Sequence, residues 1–329
     1  MKLGPLNLKN NLILAPLQNV TTAPYRRFIR HFQEIGFVCV PMIYIKRITK
    51  SPKSVDQELY KIEEESPISV QLIGSDNEAL IKAIEYLESY KFNILDINAG
   101  CPSRRAIKAK QGGYLLKDLI MLKELLHTAV KFSSRPVSLK TRIGYNKAKE
   151  IKAICKVIND SGIDFLTVHA RTVKKRFDDR TLDLDSLKAM KDILTIPLIG
   201  NGDINSPRSA KDFIESTNVD GLMIGRESMG NPIIFSQINE YLTKGREISC
   251  ENSREIIRAR IKLYEQIIDD FLEGLSINYP LEEYKFVELK RNSIWLTKNL
   301  KDSSYLRSEL SKAKSLKQFK IILQHIFEN

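Results

Sequence analysis

Residues 196–226 read IPLIGNGDINSPRSAKDFIESTNVDGLMIGR. Two apolar runs, IPLIG and DGLMI, flank a polar segment of helical length. That segment opens with SPR, a serine suited to cap a helix and a proline suited to its first position. Both runs are nearly continuous in apolar residues, which suits parallel strands covered on both faces. Each passes directly into glycines and polar residues, GNGD and GRES.

The same unit recurs on both sides of this stretch. Strand-like runs lie at 11–15, 37–42, 67–72, 93–98, 136–141, 164–169, 196–200 and 220–224. Helix-like segments lie between them at 76–90, 117–132, 147–160, 183–193 and 206–216, the first opening on Asp76 as a cap. Eight strands alternating with helices predict a TIM (β/α)8 barrel. A doubly wound open sheet is the structural alternative, but no GxGxxG follows the first strand. From about residue 245 strand signals stop, and 252–275 and 281–328 read as amphipathic helices divided by LSINYPLEE. The expected organisation is α/β: a barrel domain over 1–244 and a small all-helical domain over 245–329.

Composition narrows the function. The chain is 43% apolar and 28% charged, as in soluble globular proteins. It has no apolar run long enough to cross a bilayer, and its N-terminus lacks a signal-peptide core, so a cytoplasmic location is expected. Its four cysteines and four histidines are dispersed, which argues against a metal site and a disulfide framework. Net charge is +12. Such an excess attracts polyanions, although a lysine-rich solvated surface would produce it too. The stretch 285–320 concentrates the charge, with ten Lys/Arg against three acids, and favours an RNA-facing surface.

In a barrel the reactive residues stand at the carboxyl ends of the strands. Those ends carry Pro16, Leu17 and Gln18; Gln71; Asn98 leading into Gly100 and Cys101; Lys140 and Arg142; His169 and Arg171; Asn201, Gly202 and Asp203; and Gly225 and Arg226. Loops after strands seven and eight commonly bind phosphate, and Arg226 would add a bidentate donor. Lys140 leaves an apolar strand, which implies an anion or chemistry unless it extends past the rim into water. His169 reads either as a structural histidine or as a site residue. Asp96 and Asp203 lie on different strands and need not form an acid–base couple. Cys101 differs from Cys39 and Cys155, which sit in apolar contexts, because it lies on a loop ahead of Arg104, Arg105, Lys108 and Lys110. A thiol there can donate a proton to a carbanion-like centre. The paired glycines of QGGYLL (111–116) suit a mobile closing loop.

These residues resemble the tRNA-dihydrouridine synthases, nearest to the bacterial B-type or a related archaeal branch. The matching motifs are LAPLQNVTTAPYRRF, VQLIGSD, DINAGCPSRR with GGYLL, SLKTRIG, LTVHART, PLIGNGDI and DGLMIGRESMGNPIIF, in the family's order over 12–235. ELKRNSIWL, with Arg291 and Trp295, is similar to an Arg-to-Trp motif of the family's helical domain. The family commonly has Met at position 17, an Asp near Thr21–Thr22 and a small residue at 18, so the flavin edge departs from the usual pattern.

The resemblance implies a flavin enzyme that reduces the C5–C6 bond of selected uridines in tRNA. Pro16, Leu17 and Gln18 would border FMN. Gln71, Lys140 and His169 would bond its polar edge or ribityl chain, and Asn201, Gly202, Asp203, Gly225 and Arg226 its ribityl chain and phosphate. Asn98, Arg142 and Arg171 would contact the substrate. NADPH, or NADH in its place, would reduce FMN, hydride would pass to uracil C6, and Cys101 would protonate C5. The target base would be extruded from its stack. The expected partner is tRNA, with ribosomal RNA as the alternative, and a monomer with no metal and no membrane contact is implied. Two rival functions are an FMN-dependent barrel oxidoreductase of a small molecule, of the dihydroorotate-dehydrogenase kind, and a non-catalytic RNA-binding barrel.

Overall fold

A computed structural model describes residues 2–33, 35–147, 150–249, 252–274 and 280–328. Cys250, part of the helix expected over 147–160 and most of the turn expected over 275–283 lie outside the described residues. Eight strands run β1 (Leu12–Leu14), β2 (Val38–Cys39), β3 (Ile68–Ile73), β4 (Ile94–Asn98), β5 (Val137–Arg142), β6 (Phe165–His169), β7 (Leu198–Asn201) and β8 (Gly221–Ile224). They pair in the order β1–β8–β7–β6–β5–β4–β3–β2, every pair parallel. A parallel bridge between Ile13 and Phe37 closes the ring, with Gly36 N–H donating to Leu12 O at 2.9 Å. The chain is therefore a TIM barrel with a helical C-terminal region.

β2 is shorter than the apolar run 37–42 suggests. Pro41 has no N–H for the ladder, and pairing with β3 resumes only at Ile43–Tyr44. The intervening helices begin where short polar side chains cap them. Asp76 accepts from Ala79 N–H at 2.9 Å, Asp118 from Met121 at 3.0 Å and Ser206 from Ser209 at 3.1 Å, with Pro207 at the first helical position.

The barrel interior changes character along its axis. Side chains alternate along a strand, so every second residue points inward. Ile94, Phe165 and Ile199 belong to an apolar cluster with Phe37, Met223 and the leucines of the N-terminal hairpin, Leu3 and Leu6. Two and four residues further along, the same faces carry Asp96 and Asn98, Thr167 and His169, and Asn201. The amino end is thereby plugged with hydrocarbon and the polar groups are left to the carboxyl end.

The chain divides into two compact units. One comprises residues 1–22 and 34–225, the other residues 23–33 and 226–329. The helix Ala23–Phe32, which follows β1, therefore groups with the C-terminal helices. Within that second unit Phe28 packs edge-on against Tyr264 at 5.0 Å, and Tyr25 against Trp295 at 6.3 Å. The segment expected as one amphipathic stretch over 281–328 forms three helices, Leu281–Leu296, Ser303–Lys312 and Leu316–Glu328. No helix among the described residues is long and apolar enough to cross a membrane.

Candidate active site

Cys101 sits in the turn that follows β4. Asn98, the last residue of that strand, accepts from the N–H groups of Gly100 and Cys101 at 3.1 and 3.0 Å and so folds the turn over itself. Gly100 packs closely under β5, where a Cβ would lie 3.2 Å from the Thr141 carbonyl carbon, a tight contact. Ser103 then caps the short helix Arg104–Lys108, accepting from Ala106 N–H at 3.1 Å.

The QGGYLL segment proves to be packing rather than hinge. Residues 112–117 form a 3₁₀ turn, and Gly113 N–H donates to Cys101 O at 3.0 Å. A Cβ on Gly112, at φ +59°, would stand 2.9 Å from the Cys101 Cβ, and one on Gly113 2.8 Å from Val173. The glycines are needed because another backbone passes close by. They hold the cysteine turn from behind.

Behind Asn98 the polar groups run inward across three strands. Asn98 Nδ2 donates to Gln71 Oε1 at 2.8 Å, and Gln71 Nε2 donates to Asp96 Oδ2 at 2.6 Å. Ser138 Oγ donates to Asp96 Oδ1 at 2.6 Å. Burial pushes the Asp96 carboxyl up to about 6, against the opposing pull of Gln71, Ser138 and the Lys140 charge. Asp96 and Ser138 were not selected from the sequence. The period-two parity they share with Asn98 and Lys140 was the available signal.

Lys140 stands level with Asn98 across the β4–β5 ladder. Its ammonium reaches Asn201 Oδ1 at 3.4 Å, while Asn201 Nδ2 donates to Met223 O at 2.7 Å. Burial, with the nearby Arg142 charge, brings the Lys140 ammonium down to about 8, although Asp96 and two thiols oppose this. His169 faces both Arg142 and Asn201 in register. Gly202 holds φ +134°, a conformation that favours glycine, and a Cβ there would meet Leu182 at 2.7 Å.

The two arginines expected at the substrate are engaged by the protein. Arg142 donates to the carbonyls of Gly100, Thr172 and Arg176, at 3.0, 3.1 and 2.6 Å. Arg171, fully buried, donates to Asp178 O and grips the Asp203 carboxylate with both terminal nitrogens, one at 3.0 Å. Phe177, unforeseen from sequence, is 54% exposed, lies 5.1 Å from the Arg142 guanidinium and meets the His169 ring edge-on at 6.1 Å.

The remaining expected residues form the rim. Pro16 and Leu17 are half-buried and Gln18 is exposed. Thr21 Oγ1 accepts from Leu17 N–H at 3.1 Å and donates to Leu17 O at 3.2 Å, so a hydroxyl ties this corner. A Cβ on Gly225 would meet Leu17 and Ala15 only at ordinary contact distances, 3.5 and 3.6 Å. Arg226 is exposed and opens the second unit. Among the described residues no group of three His, Cys, Asp or Glu side chains is arranged to hold a metal.

A closed parallel barrel with a thiol, an ammonium, an imidazole and three carboxamides at its carboxyl end defines a barrel enzyme. Its family follows from comparison. Residues 13–329 match the dihydrouridine synthase (Dus) family, and the chain belongs to it; that family consists of oxidoreductases. A tRNA-dihydrouridine synthase B from Vibrio parahaemolyticus is 35% identical over 277 residues, 83% of this chain and 85% of the relative. A probable tRNA-dihydrouridine synthase from Rickettsia conorii is 29% identical over 313 residues, 94% and 91% of the two chains. Among solved structures, a 6-hydroxypseudooxynicotine amine oxidase from Pseudomonas geniculata superposes with TM-score 0.54 at 13% identity. The match covers 74% of this chain and 49% of the oxidase, a likeness of fold alone.

Proposed function

We propose that this enzyme reduces the C5–C6 bond of specific uridines in tRNA to 5,6-dihydrouridine, with FMN as resident redox group and NADPH as reductant. The carrying observation is the Cys101 turn, fixed by Asn98 beside an undercompensated lysine. The residues fit FMN. Lys140 is a half-buried cation that donates to a neutral amide oxygen at 3.4 Å. Gln71 keeps one N–H and one lone pair beyond its bonds to Asp96 and Asn98. Gly225 leaves the backbone open to close approach. In this reading Gln71, Lys140 and His169 hold the polar edge of the ring or the ribityl chain, Pro16, Leu17 and Gln18 border the ring, and Asn201, Gly202, Asp203 and Gly225 hold the ribityl chain and phosphate.

Reduced FMN, when bound, supplies the hydride that uracil C6 receives. The protein's own contribution is position and a proton. The second Asn98 N–H meets only a weak acceptor, Met42 Sδ at 3.8 Å, which a carbonyl of the base can replace. Charge left at uracil C5 and its neighbouring carbonyl is quenched when the Cys101 thiol gives its proton to C5, and the thiolate is reprotonated from solvent. Arg142 and Arg171 support the pocket from behind, through the 172–178 carbonyls and Asp203. Phe177 offers an exposed ring on which an extruded base can stack.

The helical region, residues 245–329, is assigned to tRNA phosphates. Six of the ten basic residues of 285–320 bond other protein groups, Arg307 donating to Ser303 O at 3.2 Å. Lys285 pairs with Glu265 and Asp269, Arg291 with Glu288, Lys312 with Glu309 and Lys320 with Glu265, while Lys290 donates to two carbonyls. Lys298, Lys301, Lys314 and Lys317 are exposed and present the charge. The enzyme is assigned to the cytoplasm as a monomer. Incubating the protein with FMN, NADPH and unmodified tRNA tests the proposal. Dihydrouridine detected by nucleoside mass spectrometry is the expected result, and oxidation of NADPH by a free pyrimidine without change in tRNA would overturn it.

A further inference from the structure

At the carboxyl end of β4 the direction of each side-chain hydrogen bond is fixed. The N–H groups of Gly100 and Cys101 can only donate, so Asn98 turns its oxygen to them. The Asn98 nitrogen must then face Gln71, which accepts through Oε1. That leaves the Gln71 nitrogen to donate, and its partner, Asp96 Oδ2 at 2.6 Å, must accept. Two adjacent strands, β3 and β4, thus carry one unbroken run of donors that ends on a carboxylate, an acceptor-only group when ionised.

We propose that Asp96 is a positioning residue for the reaction: by accepting from Gln71 it sets the orientation of both amides and so holds the Cys101 turn in its working shape. An apolar residue of similar volume would fill the same space in the barrel without the cost of burying a carboxylate. Asp96 is 6% exposed and its second oxygen is occupied by Ser138, so it has no direct path to substrate. With the carboxyl titrating near 6, the group is an acceptor at neutral pH. Turned the other way, Gln71 would set its oxygen against the Asp96 carboxylate, and Asn98 would set its nitrogen against the Gly100 and Cys101 N–H groups, leaving both without an acceptor.

The inference rests on the reading of Cys101 as proton donor only for its effect on turnover. Its structural half is tested separately, by hydrogen exchange of the 98–104 peptide and by the rate at which iodoacetamide alkylates Cys101. In Asp96→Leu the Gly100 and Cys101 amides should exchange roughly tenfold faster, and alkylation should rise several-fold. The kcat should fall more than KM rises. Asp96→Asn can present its oxygen to Gln71 and its nitrogen to Ser138, so it should restore both rates and most of the turnover. Wild-type exchange and alkylation in Asp96→Leu would overturn the proposal. An Asp96→Asn variant as impaired as Asp96→Leu would overturn it too, and would make the carboxylate a counter-charge for Lys140. If Asp96→Leu fails to fold, Gln71→Met breaks the same run one step nearer the turn, and unaltered exchange there would also overturn it. Loss of turnover with tRNA in wild-type protein whose exchange pattern is as expected would count against the enzymatic reading alone.

Discussion

In the helical unit Glu288, 2% exposed, accepts from Tyr264 Oη at 2.7 Å and pairs with the Arg291 guanidinium, which lies over the Trp295 ring. At the carboxyl end of the barrel, Lys140 donates to a neutral amide oxygen at 3.4 Å, and burial holds its ammonium down to about 8. The first cluster is closed. One carboxylate bonds both a guanidinium and a phenol, with only the Arg291 Nε lacking a partner in this cluster, and burial with the Glu288 charge pushes the Tyr264 phenol upward. The second is open, because donors and a cation are carried into a low-dielectric site where the Asp96 charge offsets only part of the cost of burial. A folded chain tolerates such incomplete compensation where a ligand supplies the rest. The two clusters use the same residue chemistry, and the difference lies in what each leaves unpaired.

The largest expected effect is on the open side. Cys101→Ala should bind FMN and tRNA while dihydrouridine formation falls by about 10²–10⁴-fold, the usual range for loss of a general acid. Turnover at the wild-type rate would remove the thiol from the mechanism. On the closed side, Glu288→Leu strands the Arg291 charge and the Tyr264 hydroxyl. It should cost about 3–5 kcal/mol of stability in denaturant unfolding, with FMN affinity of the folded protein unchanged. If FMN affinity fell instead, the division between a closed and an open cluster would fail.

Lys140→Met tests the comparison from both directions. FMN affinity should drop by about 10–100-fold, the value of one charge-assisted bond. Stability near neutral pH should rise, because methionine removes a desolvated charge. The sign follows from the shift. The ammonium titrates near 8 in the folded protein and at its ordinary value of 10.5 when unfolded. The folded state therefore binds fewer protons between those values, and this group's contribution to stability grows as pH rises through that window. FMN affinity should do the reverse, holding below about pH 8 and weakening above it, as isothermal titration across pH would reveal. The dependence should vanish in Lys140→Met. The smallest effect belongs to the exposed lysines. Replacing Lys298 and Lys301 by alanine should flatten the slope of log K against log salt for tRNA by about one per lysine, with little change in kcat.

Much of this was legible in the sequence. Apolar runs such as FLTVH and PLIG locate strands because a parallel strand is buried on both faces. Strand ends locate Cys101, Lys140, His169 and Asn201 because a barrel presents its chemistry there. The cooperation of Asp96, Gln71 and Asn98 was not legible, since it depends on the register of β3 against β4. QGGYLL looked mobile because glycine permits motion and close approach alike, and only the neighbours Cys101 and Val173 decide between them. Likewise a count of ten basic residues cannot tell Lys285, clasped by two carboxylates, from exposed Lys301.

The helix Ala23–Phe32 belongs with residues synthesised far downstream of it. At a ribosomal pace of about 5–20 residues per second, the partners of Phe28 and Tyr25 emerge roughly 12–54 s after the helix itself. During that interval an amphipathic helix with Tyr25, Phe28 and Ile29 on its buried face has no native surface to cover it. Its escape from aggregation is then a matter for chaperones or for the speed of translation. Truncation at residue 225 would make that temporary exposure permanent, so a shortened barrel should need the helix face rewritten in polar residues before it stays in solution.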